Sequence, residues 1–185
     1  MNRLPLDTVL NSTENYLAAI NAFTARSSTA DVVATGADTY LVGVPLLSLA
    51  MFAEMQVRFE AYMTKTAAST ATPIWTIRIG TAGTVADAAI VTFTGPAQTA
   101  AADIGLVEIS GVLRNVGAAG ILAAGLSLTH DLAITGFASQ GNVVRQTTSS
   151  GFVTTTAGLV VGLSCNPGAA GVFTHQMVTG TLRGI

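Results

Sequence analysis

Along most of the chain, apolar residues recur at every second position, the spacing of a strand that buries one face and shows the other to water. In the segment from Ile74 to Phe93, Trp75, Ile77 and Ile79 fall on one side of an extended backbone while Thr76 and Arg78 fall on the other. Gly80, Thr81, Ala82, Gly83 and Thr84 then predict a turn into a second apolar run, so the segment reads as a hairpin ending near Gly95 and Pro96. The same rhythm sets Tyr40, Val42 and Val44 on one side of a strand, and Val57, Phe59, Ala61 and Met63 against Arg58, Glu60 and Tyr62 on another. It continues with Val107, Ile109, Gly111 and Leu113 against Glu108, Ser110 and Arg114. After a glycine turn at Gly117 to Gly120 comes the row Leu122, Ala124, Leu126 and Leu128. Phe173, His175, Met177 and Thr179 form the last row, alternating with Thr174, Gln176 and Val178. Gly141 with Asn142 signals a two-residue hairpin, and Asn166, Pro167 and Gly168 another turn.

The first part of the chain has a different period. Leu6, Val9, Leu10, Leu17, Ile20 and Phe23 recur near 3.6, and Asn11 with Glu14 three residues later is a capping signal, which predicts a short helix over roughly 13–25. A helix this short is marginal in water by itself and must dock on something. The expected organisation is an N-terminal arm with helix and connector over 1–36, then a β-domain over 37–185. Short strands separated by Gly and Pro turns, without intervening helical patterns, predict an all-β antiparallel β-sandwich of about eight to ten strands, of jelly-roll type. An immunoglobulin-like sandwich is the alternative, although its spacing of Cys, Trp and Cys is absent.

Composition turns this fold into a statement about surfaces. Of 185 residues, 50% are hydrophobic and 10% charged, with a net charge of -2, where a soluble domain carries about 25% charged residues. Such a chain covers itself with Thr, Ser, Ala and Gly or with partners, so a homo-oligomer or lattice component is expected. The basic residues are scattered singly from Arg3 to Arg183, with no stripe to follow a phosphate backbone, and no nucleic-acid partner is expected. The apolar stretches Leu41 to Ala53 and Val116 to Thr129 are shorter than the roughly 20 residues that span a bilayer, so no membrane partner is expected. Pro5, Asp7 and Glu14 interrupt the apolar run that a signal peptide requires.

Groups with chemistry are sparse and dispersed. The stretch Gly162, Leu163, Ser164, Cys165 and Asn166 approaches a nucleophile elbow but has Asn where the last glycine belongs. Cys165 is the single cysteine, excluding an internal disulfide. It would need His130 or His175 brought beside it to act as a thiolate, and a small buried hydrophobe is the plainer reading. Two histidines without a Cys or Glu cluster are too few for zinc. The glycine loops at 80–83, 117–120 and 168–171 precede neither Lys-Ser/Thr nor a helix, and read as turns. Asp103 with Glu108, or Glu54 with Glu60, are the acid pairs a glycosidase would draw on, without a reason to choose either. Trp75 belongs with the core row, leaving Tyr40 and Tyr62 as possible outer-face aromatics. No catalytic, cofactor-binding or metal residue is expected, and the chain is not expected to be an enzyme.

The stretches WTIRIGTAGTVADAAIVTF (75–93), VEISGVLRNVGAAGILAAGLSLTH (107–130) and GLVVGLSCNPGAAGVFTHQMVTGTL (158–182) resemble small jelly-roll virion proteins of tailed bacteriophages. The resemblance covers roughly 38–185 and is one of pattern. It implies a homotrimeric β-sandwich fixed to a phage particle, without enzyme activity. The capsid decoration (cement) type comes first, with a major capsid protein or other virion protein as partner. A head-fibre, tail-fibre or baseplate component that binds host-surface glycan is the alternative. An arm that attaches and a jelly roll that projects would suit Met1 to Arg26 and the remainder.

Overall fold

The computed structural model describes residues 23–26, 31–32, 36–46, 51, 53–66, 70–131, 136–138, 143–169 and 173–183. Eleven strands run in chain order: β1 (Phe23–Arg26), β2 (Asp31–Val32), β3 (Thr39–Pro45), β4 (Gln56–Lys65), β5 (Ile74–Gly80), β6 (Ala88–Thr94), β7 (Asp103–Asn115), β8 (Gly120–His130), β9 (Val143–Phe152), β10 (Val160–Asn166) and β11 (Phe173–Arg183). The nine longer ones, β3 to β11, make two antiparallel sheets. One has the order β3-β10-β5-β6; the other has the order β11-β4-β7-β8-β9, extended along β11 by the short β1 and β2. The two sheets face each other across a single core, as expected of a β-sandwich.

Alternation explains both sheets. In the smaller one Trp75, Ile77 and Ile79 stand opposite Cys165, Leu163 and Val161, and all six are buried. In the larger one Val57, Phe59 and Ala61 stand opposite Gly111, Ile109 and Val107 on one side and Leu182, Gly180 and Val178 on the other. A register slip by one residue would turn each of these rows to solvent, so the pattern selects the pairing. Across the gap, Trp75 stacks on Phe173 with ring centroids 6.3 Å apart, and Phe137 meets Phe173 edge-on at 5.3 Å. Gly180 marks how close the sheets come: a Cβ there would lie 2.8 Å from Val44 and 2.9 Å from Phe59.

Two expectations are corrected. The helix over 13–25 does not extend through its C-terminal end: Phe23–Arg26 is a strand, paired from Phe23↔Thr181 to Arg26↔Val178, and 13–22 lies outside the described residues. Unpaired backbone groups along β11 offer hydrogen bonds that a short helix with one apolar stripe does not match. Among the described residues there is no helix. The inward row of β11 also changes phase, because the pairing with β4 shifts between His175 and Met177. That bulge places Gln176 as an extra residue, so Val178, Gly180 and Leu182 point inward and Met177 points out. The Gly141–Asn142 hairpin signal lies outside the described residues. The strand that follows it, β9, is mostly polar on both faces.

The hairpin of 74–93 is closed by a device that the turn residues do not reveal. Between β5 and β6, the carboxylate of Asp87 accepts the backbone N–H groups of Ala82 (3.0 Å), Gly83 (2.7 Å) and Thr84 (3.2 Å). Gly83 takes a positive φ of 63° that suits a residue without a side chain. Asn166 caps its own turn in the same way, its side-chain oxygen accepting the N–H of Gly168 at 2.9 Å.

Candidate interaction face

The larger sheet turns one face outward, and its register orders that face into rows. Met177, Tyr62, Leu106 and Thr129 make one row, flanked by Thr64 and Ile104. Next come Thr179, Glu60, Glu108, Ser127 and Val144, then Thr181, Arg58, Ser110, Gly125 and Gln146, and last Arg183, Gln56, Val112, Ala123 and Thr148. The first row is an apolar end: Ile104 is 57% exposed, Tyr62 44% and Met177 42%. Tyr62, Ile104, Leu106, Thr129 and Gln176 line an open groove of about 530 Å³ there. Apolar side chains gathered in one place mark a contact surface more clearly than scattered ones do.

The middle of the face is charged. Glu60 and Glu108 are direct cross-strand partners, an arrangement of like charges that is unfavourable alone. Arg58 offsets part of it, its guanidinium donating to Glu60 and, at 3.1 Å, to Glu108. Beyond it, small residues on β7 and β8 leave a shallow trough of about 580 Å³, lined by Ser110, Ala123 and Gly125 with Arg58 and Arg114 among its walls.

Below the apolar end sits a buried polar cluster. Lys65 and Asp103 are cross-strand partners on β4 and β7, both almost out of solvent. The Lys65 ammonium donates to the carbonyls of Thr99 (2.8 Å), Ala101 (2.9 Å) and Thr66 (3.3 Å). Its loss of water lowers its pKa, opposed by the Asp103 charge. Asp103 accepts the N–H of Phe137 at 2.8 Å and of Ile104 at 2.8 Å, and its Oδ2 lies 3.1 Å from Nδ1 of His130. The cluster ties the segments at 99–101 and 136–138 to the sheet that carries the face.

The residues with candidate chemistry are not assembled into a site. Cys165 is fully buried opposite Trp75, and burial, with a smaller push from Asp38, raises its thiol well above the ordinary value. Ser164 faces the other way, accepting a hydrogen bond from Nε of Arg78 at 2.9 Å. Arg78 also donates to the Asp87 carbonyl at 2.7 Å and pairs with the Asp38 carboxylate. His130 belongs to the Asp103 cluster, whereas His175 lies in the core edge-on to Phe173 at 6.3 Å. Burial lowers the His175 pKa to about 4, and neither ring nitrogen has a hydrogen-bond partner among the described residues. Asp103 and Glu108 point to opposite faces of β7, and Glu54 sits in a turn at a φ of 69° while Glu60 stands on the sheet. Among the described residues no group of three His, Cys, Asp or Glu side chains could hold a metal ion.

Tyr40 does not share the inward row of Val42 and Val44: the pairing of β3 with β10 shifts between Leu163 and Ser164, which turns Tyr40 to the outer side of the smaller sheet over Gly43 and Gly162, where any side chain would collide with its ring. Its hydroxyl is pushed up to about 12 by burial and then by Asp87, with Arg78 opposing. Sequence reasoning missed Lys65 and Asp87 as organising residues. A lysine and an aspartate at the ends of apolar runs look like ordinary solvated charges, and only the register and loop path bury them.

No family model matches the chain, and no curated protein matches it. Among solved structures, a chain from the structure of the infectious bursal disease virus Gx strain aligns over 87% of this chain at 8% identity and a TM-score of 0.35. The aligned part is 32% of that viral chain, so the protein spans about a third of its length. Scytalido-glutamic peptidase aligns over 82% of this chain and 66% of its own at 9% identity, with a TM-score of 0.24. The CBM2 module of the evolved Dit of Lactobacillus casei BL23 phage J-1 aligns over 65% and 62% at 10% identity, with a TM-score of 0.18. None of the three reaches the level of a shared fold.

Proposed function

We propose that the chain is a structural protein of a virion, of the capsid decoration type: a jelly-roll-like homotrimer on the surface of a tailed-phage particle, without catalytic activity. The observation that carries this reading is the outward face of the larger sheet, with Met177, Tyr62 and Ile104 exposed together around a half-buried Leu106 in a chain of which 10% is charged. Covering such a face against a shell removes apolar area from water, and binding to the intact shell then stabilises it by mass action. Three linked copies strengthen weak single contacts through effective concentration.

Co-sedimentation of the full chain with decoration-free phage shells tests the reading. Saturable binding at a fixed ratio, abolished by Tyr62→Glu with Ile104→Glu in a folded protein, is expected. Antibody label found only on tails would overturn it. The shallow trough beside Arg58 and Arg114 favours the alternative, a fibre or baseplate component that binds host-surface glycan. Glycan-array binding lost in Arg114→Ala would support that alternative.

A further inference from the structure

We propose that β9 is a self-pairing edge, along which a second copy of the chain lays its own β9 antiparallel and continues the larger sheet across a two-fold axis. The inference deepens the homo-oligomer reading and rests on it. Of the strands that end a sheet, β1 has four residues, β3 ends in Pro45, and β6 has seven residues; β9 has ten. Among the described residues β9 is hydrogen-bonded only to β8, from Gly120↔Phe152 to Leu128↔Val143; β6, at the edge of the other sheet, comes close to it without pairing, so the outer row of N–H and C=O groups has no strand bonded to it. Such an edge is a template for another extended chain, and proteins that must not use it place lysines or prolines there. β9 has neither.

The composition of β9 selects a copy of itself. Arg145 is its one charged residue. Two strands related by a two-fold near Thr147 and Thr148 keep their Arg145 side chains at opposite ends, and like charges do not meet. Centred on Thr147, the pairing sets Thr147 opposite its own mate, Gln146 opposite Thr148 and Arg145 opposite Ser149, and Thr pairs are favourable across antiparallel strands. Val144, at 71% exposure the most exposed large apolar side chain among the described residues, stands at this edge.

Light scattering on the full chain, compared with a Gln146→Lys/Thr148→Lys variant, tests the proposal. Two lysines facing their symmetry mates should halve the mass: a dimer to a monomer, or two trimers to one. In parallel, single cysteines at 146, 147, 148 and 149 are oxidised, and at least one should give a crosslinked pair while Thr92→Cys on β6 gives none. Cys165 is buried and does not compete. Unchanged mass in the lysine variant together with no crosslink at any β9 position overturns the pairing alone. A wild-type monomer overturns both the pairing and the homo-oligomer reading. Lost shell binding at unchanged mass also overturns self-pairing, and assigns the edge to another protein's strand.

Discussion

Oδ2 of Asp103 and Nδ1 of His130 lie 3.1 Å apart with both side chains wholly out of solvent, joining the start of β7 to the end of β8. Asp103 also holds the Phe137 N–H, and its residue stands opposite Lys65 in the pairing of β4 with β7, so one carboxylate lies where three elements meet. Asp103→Ala should therefore lose about 3–5 kcal/mol, the usual result of removing one partner from a buried charged cluster. Urea denaturation of variant and wild type at pH 7 measures it. A loss under about 1 kcal/mol would show that the cluster is not a clamp.

Lys65 is 2% exposed, and its three acceptors are carbonyls of a loop and strand end. Lys65→Met keeps most of the packing and removes the donors, with an expected loss of about 1–3 kcal/mol from unsatisfied carbonyls. Hydrogen exchange should speed up between 97 and 103 more than in β10, because that segment loses its anchor.

His175 gives the chain an acid sensitivity with a defined direction. Its folded pKa, lowered to about 4 by burial, lies below the unfolded value of 6.5, so the unfolded chain binds more protons between these limits. The stability tied to the neutral ring is complete above pH 6.5, declines as pH falls towards 4, and is fully lost below that. The ceiling is about 3 kcal/mol. His175→Phe should flatten the melting temperature between pH 4 and 6.5, and a profile as steep as the wild type's would refute this account.

Asp87 organises the β5–β6 turn through three backbone N–H groups. Asp87→Ala should cost about 2 kcal/mol, as hydrogen bonds to a charged acceptor do. By contrast Arg58→Ala, at an exposed salt-bridge network, should change stability by less than about 1 kcal/mol. Thermal melts of the two variants side by side should separate them clearly.

The alternation of Trp75, Ile77 and Ile79, or of Val57, Phe59, Ala61 and Met63, determines strand, inward face and register from the sequence alone, because one-sided burial admits a single phase. The tertiary structure decided what local pattern leaves open. β11 shifts phase at Gln176, which turns Met177 onto the outer face beside Tyr62. Phe23–Arg26 is extended because β11 lies alongside, whatever its own period favours. Lys65, Asp103 and His130 meet although 65 positions separate the first from the last. Their burial depends on which strands become neighbours, a property of backbone pairing across the whole chain that no window of side chains records.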